Sequence, residues 1–211
     1  MTLSLEVHDE ASAATRRVAG LVTERARKCA FTLALSRGAE LLACLGAEDI
    51  PWQRVTAYQV DERVAPSGVE SRNLPQLLAA LPTDVVRPMP VEERDLEKAA
   101  ARYADELPEA LDLIHLGLGA DGHTASLVPG DPVLDVRDRL VAITGEYQGR
   151  RRMTLTYPAL EAAREIVWLV TGEAKREVLA RLLARDTSIP AARIANHRQL
   201  VVADVRAASS S

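Results

Sequence analysis

Short continuous apolar runs alternate along the chain with longer segments whose apolar residues recur every three or four positions. Phe31–Leu35 (FTLAL), residues 111–116 (LDLIHL) and Ile166–Val170 are runs of the first kind, bounded by Gly, Asp, Ser or Thr, and they read as buried strands. Residues 54–60 (RVTAYQV), rich in β-branched and aromatic side chains, form a further strand. Residues 3–8, 85–86, 140–144, 153–156 and 200–205 add shorter ones. Ala11, Ala14, Val18, Leu21 and Val22 share one face of a helix that runs from Asp9, its expected N-cap, to about Lys28. Helical patterns return over 39–45, 74–81, 92–107 and 173–183, while 61–70 reads as a loop marked by Pro66 and Gly68.

Strands alternating with helices specify an α/β fold with a mainly parallel sheet. No linker, repeat or low-complexity block interrupts residues 1–206, so one domain is expected, and the Ala/Ser tail over 207–211 is expected to be disordered. Ligands of such sheets sit outside the carboxyl ends of the strands. The polar clusters fall there: after Leu35, after Val60, after Leu116 and around Thr171.

Composition narrows the function. Only 3% of residues are aromatic, so the core is aliphatic, which suits strands covered on both faces and gives little support to a base-stacking surface. A net charge of −4 supplies no general field for polyanions, and nucleic acid is not an expected partner. A small anion differs, because one or two placed arginines can hold it locally. Cys29 and Cys44 match no metal spacing and read as two small buried hydrophobes in a reducing compartment. The first residues lack the apolar run of a signal peptide, and no stretch approaches the roughly 20 apolar residues of a membrane span. A cytoplasmic location without membrane attachment is expected.

Residues 117–124 (GLGADGHT) carry the sharpest chemical signal. Gly117, Gly119 and Gly122 satisfy G-x-G-x-x-G after a strand, but Pro129 and Pro132 stand where a dinucleotide-binding helix would continue. No cofactor is expected. The glycines instead allow close backbone approach to a ligand, and His123 is the one histidine on such a loop, suited to take a proton from water near neutral pH. Asp121 is placed to orient it. His115, inside an apolar strand, reads as a satisfied core residue. Asp61-Glu62-Arg63 follows a strand and should face the same crevice; with Asp121 and His123 it matches no metal-site spacing. Arg150-Arg151-Arg152 and Lys175 supply positive charge. Lys175 at a helix N-terminus opposes the helix dipole, a conflict that a bound anion relieves.

These motifs bear a resemblance. Residues 119–130 (GADGHTASLVPG) resemble the G-x-D-G-H-x-A-S-L-F-P signature of the 6-phosphogluconolactonase family. Residues 61–66 (DERVAP) with Arg72-Asn73 are similar to its D-E-R-x-x-P and R-N segment, 152–156 (RMTLT) to its R-x-T-L-T strand, and 170–175 (VTGEAK) to its G-x-x-K turn; Pro190-Ala191 also fits. The resemblance implies a single three-layer α/β/α domain with a Rossmann-like sheet. It also implies hydrolysis of a phosphorylated sugar lactone, 6-phosphoglucono-δ-lactone, by a monomer or small homo-oligomer. It makes His123 the base beside Asp121, sets Arg63, Asn73, Asp61, Gly119 and Gly122 around the sugar, and gives the phosphate to Arg152 and Lys175. Backbone N–H groups of the glycine loop are candidates for the oxyanion.

One stretch departs from the family. Where it carries S-G-G-S-T-P, this chain has Ser36-Arg37-Gly38-Ala39-Glu40, keeping a glycine but losing hydroxyl donors. Ser36, Arg37 and Gly38 are the expected phosphate contacts, with Arg37 compensating and Glu40 repelling a dianion if it faces the site. A non-catalytic or altered-specificity sugar-phosphate binder is therefore the alternative. An amino-sugar-phosphate isomerase or deaminase would need a carboxylate soon after the histidine, where this chain has Ser126-Leu127-Val128-Pro129.

Overall fold

The computed structural model describes residues 2–66, 68–69 and 72–209. Seven parallel strands form the main sheet: β1 (Thr2–His8), β2 (Phe31–Leu35), β3 (Val55–Gln59), β5 (Val86–Arg87), β6 (Leu113–Leu116), β9 (Ile166–Val170) and β10 (Arg198–Asp204). Their order is β1-β10-β9-β6-β2-β3-β5. A smaller antiparallel sheet joins β4 (Asp61–Arg63), β8 (Arg152–Leu155) and β7 (Val141–Ile143) in the order β4-β8-β7.

The central strands are mostly apolar because both faces are covered, with Thr32, Gln59 and His115 among the exceptions. Leu33 and Leu35 of β2 pack with α1 (Ala11–Lys28), α2 (Ala39–Ala47) and α3 (Leu74–Ala80), whereas Ala34 between them packs on the opposite face. That face holds α4 (Leu96–Glu106), α5 (Tyr157–Ala162), α6 (Arg176–Leu183), α7 (Val205–Ala208) and the small sheet. The result is the expected three-layer α/β/α arrangement. Trp168, fully buried in β9, donates its indole N–H to Gln199 Oε1 at 3.0 Å, so the largest core side chain leaves no polar group unpaired.

Several expectations change. The N-cap of α1 is Glu10, not Asp9, and no side chain caps it. The strands expected over 140–144 and 153–156 stand apart from the main sheet, because they pair with each other and with the 61–63 segment. That segment is thus a strand rather than part of a loop, and Glu70, the expected end of the loop, lies outside the described residues. Cys29 is exposed rather than buried, and Cys44 is half-buried, packed against the edge of the core. The chain after Arg206 does not fray at once: Asp204 caps α7 by accepting from the Ala207 N–H at 2.9 Å, and Ala207 is buried. Met1 and the tail residues Ser210 and Ser211 lie outside the described residues. No helix among the described residues is long and apolar enough to cross a membrane.

Candidate active site

The carboxyl ends of β2, β3 and β6 and the turn after β9 open on one cleft of about 240 Å³. Ser36, Arg37, Asp61, Arg63, Asn73, Gly119, His123, Arg152 and Lys175 line it. Of the other expected residues, Asp121 stands behind His123, Gly122 packs against Ile189, and Gly38 begins α2 beside the His115 ring. Glu40 is exposed on the first turn of α2 and does not line the cleft, so the expected repulsion of an anion does not arise.

After β6 the chain makes a tight turn instead of a helix. The Gly119 N–H donates to the His123 carbonyl at 2.8 Å and the Gly122 N–H to the Gly119 carbonyl at 2.9 Å. Those two donors are spent inside the loop and are not free for an oxyanion. Gly122 has φ +83°, where a Cβ would also strike Ile189. A Cβ on Gly119 would fall on the His123 ring and against Asp121 Oδ1. The absent side chain is the space in which the dyad sits. His123 Nδ1 lies 2.5 Å from Asp121 Oδ1, and the same oxygen accepts the His123 backbone N–H at 3.1 Å. A carboxylate on Nδ1 fixes the tautomer and leaves Nε2 as the basic nitrogen. Burial alone would raise the Asp121 pKa; the hydrogen bonds from His123 outweigh it and hold the carboxyl below its ordinary value.

Strand β4 sorts its three charges by alternation. Asp61 and Arg63 face the cleft, and Glu62 is fully buried on the other side. There Glu62 accepts from Gln59 Nε2 (3.0 Å), the Arg63 N–H (2.8 Å), the Asn73 N–H (2.7 Å) and the Leu74 N–H (2.8 Å). It thereby ties the start of α3 to β4 and presents Asn73 to the cleft. Asn73 Oδ1 accepts from Arg63 Nη1 at 2.9 Å, and Asn73 Nδ2 donates to the Asp61 carbonyl, also at 2.9 Å. Asp61 is buried and accepts the Ser126 hydroxyl at 2.6 Å; burial raises its pKa against the opposing pull of Ser126, Arg63 and Arg152. Sequence reasoning left Glu62 without a role; its signal is the two-residue alternation, legible only once 61–63 is known to be a strand.

Positive charge converges on the cleft at a cost. In the β4–β8 register Arg63 stands directly opposite Arg152, a like-charge pair that disfavours the sheet. Arg152 is 5% exposed, makes no ion pair among the described residues, and its Nε has no hydrogen-bond partner there. Burial lowers the Arg63 pKa; the Asp61 and Glu62 carboxylates oppose that shift, and the Arg152 and Arg37 charges add to it. Lys175 is the N-cap residue of α6, so its ammonium opposes the helix dipole as expected. Asp61 offsets the Arg152 charge only in part, since no carboxylate among the described residues lies within ion-pair distance of Arg152, and an anion in the cleft would add to that compensation.

His115 lies beneath this floor, 2% exposed, with Nδ1 unpartnered among the described residues; burial lowers its pKa to about 4 against a hydrogen bond to the Ser36 backbone. It is a core residue as expected, but not fully satisfied.

The family described as "Glucosamine-6-phosphate isomerases/6-phosphogluconolactonase" matches residues 8–202. The chain belongs to that family. Within it, the chain is 36% identical over 193 residues to a 6-phosphogluconolactonase of Synechocystis, covering 82% of this chain and 78% of that protein. In structure it resembles the 6-phosphogluconolactonase of Thermotoga maritima with a TM-score of 0.84 at 23% identity, covering 96% of this chain and 99% of the other. A monomeric glucosamine-6-phosphate deaminase gives the same TM-score of 0.84 at 16% identity, covering 97% and 98%. The fold is therefore shared by both branches of the family, and the site must separate them.

Proposed function

We propose that this protein hydrolyses 6-phosphoglucono-δ-lactone to 6-phosphogluconate, the step of the oxidative pentose phosphate pathway that opens the sugar lactone. The observation that carries the reading is the pairing, in one cleft, of a carboxylate-oriented imidazole with a cluster of cationic side chains, Arg37, Arg63, Arg152 and Lys175. His123 Nε2 takes a proton from water as the water oxygen bonds to the lactone carbonyl carbon. Collapse of the tetrahedral adduct breaks the ring C–O bond, and the imidazolium returns the proton to the departing ring oxygen. Asp121 holds the imidazole and stabilises its charged form. Arg152 and Lys175, with Arg37 in place of the family's hydroxyl donors, bind the phosphate away from the reacting carbon, so that binding energy fixes the carbonyl against the base. The absence of a carboxylate in Ser126-Leu127-Val128-Pro129 favours the lactonase branch over the deaminase branch. The 36% identity to a lactonase supports the same choice. The free thiols Cys29 and Cys44 suit a cytoplasmic setting.

A pH-stat assay on freshly generated lactone, corrected for spontaneous opening, tests the reading. The wild type accelerates opening, and His123→Ala loses about 10²–10⁴ of that rate. A wild type that matches the background rejects it.

A further inference from the structure

The hairpin between β7 and β8 reaches over the dyad. Gln148 (φ +53°) and Gly149 (φ +74°) form its two-residue tip. Tyr147 and Arg150 close that tip with reciprocal backbone hydrogen bonds of 3.0 and 3.3 Å, the left-handed turn that suits the twist of paired strands. This turn fixes the direction of Tyr147, which touches three groups of the cleft. Its hydroxyl donates to Asp121 Oδ2 at 3.4 Å, the carboxylate oxygen not used by His123. Its ring meets the His123 ring at a centroid distance of 5.8 Å and a tilt of 60°. Its face lies 4.9 Å from the Arg152 guanidinium carbon, while the adjacent Gln148 Oε1 accepts from Arg152 Nη2 at 3.3 Å.

We propose that Tyr147 is a positioning residue that couples the His123–Asp121 dyad to Arg152, and so sets the spacing between the water-activating nitrogen and the anionic group of the substrate. This rests on the hydrolase reading above. The argument is one of geometry. A base and an anion clamp on separate elements need a common rigid contact if one bound molecule is to meet both, and no charged group can serve. A carboxylate between them would neutralise Arg152, and a cation would drain charge from Asp121. An aromatic ring with a hydroxyl at its edge does neither: its face attracts the guanidinium and its hydroxyl donates to the carboxylate. Burial and the Asp121 charge raise the Tyr147 pKa, which keeps the hydroxyl a donor.

Two substitutions separate the contacts. Tyr147→Phe keeps the ring against His123 and Arg152 and removes only the hydroxyl; kcat falls about two- to tenfold and KM holds. Tyr147→Ala frees Arg152 as well. Its KM and its dissociation constant for 6-phosphogluconate, measured by calorimetry, rise about three- to tenfold, and its preference for the phosphorylated lactone over the same lactone without phosphate falls. A tyrosine that merely packs the hairpin would instead lower the melting temperature and leave this split between kcat and KM unmade. Unchanged kcat, KM and product affinity in both variants, beside an active wild type, overturn the inference. A wild type without turnover overturns the hydrolase reading, and the product affinity of Tyr147→Ala relative to wild type then decides the role of Tyr147 alone.

Discussion

Adding one methyl group at Gly119 tests the site without touching its chemistry. The new Cβ of Gly119→Ala would lie on His123 Nδ1 and Cε1 and against Asp121 Oδ1. Carbon atoms in contact need about 3.5–4.0 Å, so the imidazole has to retreat by more than about 1 Å. The Nδ1–Oδ1 hydrogen bond, 2.5 Å long, does not survive that movement. A misplacement of about 1 Å in a reacting group costs roughly 10² in rate, and complete loss of a positioned base costs about 10²–10⁴. The expected fall in kcat is therefore about 10²–10³. The fold should absorb the change, because the atoms displaced are side-chain tips, with His123 28% and Asp121 39% exposed, and the ring can swing toward solvent. A stability loss of about 1 kcal/mol or less corresponds to roughly 2–4 °C in melting temperature for a chain of this size. Lactone-opening rates and circular-dichroism melting of the same preparations measure both quantities. A variant with kcat within threefold of wild type refutes the claim that this glycine exists to seat the dyad. So does one that loses activity only in proportion to lost folded protein.

The charges of the cleft and the buried His115 give two more expectations. Arg152→Met keeps an unbranched apolar stem in β8 but removes the charge facing Arg63. KM should rise at least about tenfold, whereas stability should hold or gain up to about 1 kcal/mol through loss of the like-charge pair; denaturant unfolding and steady-state kinetics check the opposed signs, and an unchanged KM contradicts the anion-binding role. His115, with its pKa lowered to about 4, is neutral in the folded protein at pH values where the unfolded chain, near 6.5, already binds a proton. Its contribution is complete above about pH 6.5 and is lost as pH falls toward 4, amounting to about 2 kcal/mol between pH 7 and 5. His115→Leu should remove that part of the acid sensitivity in urea unfolding, and an identical pH dependence in the variant would refute the assignment.

The sheet was legible because its physics is local. A strand covered on both faces reads as a nearly continuous apolar run, and Phe31–Leu35, broken only by Thr32, and Ile166–Val170 announced themselves by that alone. The loop after β6 was legible for a similar reason. Three glycines, an aspartate and a histidine in eight residues specify a tight polar turn whatever surrounds them, and the structure folds 117–124 back on itself through its own backbone bonds. The segment 61–63 misled because three consecutive charges carry no apolar alternation. Its strand character comes from β8, far away in sequence, and from partners that receive each charge separately.

The chain's order of residues thus determined the α/β/α layers, the end of the sheet at which the cleft opens, and the glycine turn that presents His123 to it, since burial and turn formation depend on neighbours in sequence. Tertiary structure alone decided that Arg63 faces Arg152, that Glu62 turns inward to hold Asn73, and that Tyr147 leans on both the dyad and the arginine. Antiparallel register and hairpin tilt are set by contacts between distant segments, and a one-residue slip of β4 would exchange Glu62 for Arg63 in the cleft without changing any local pattern.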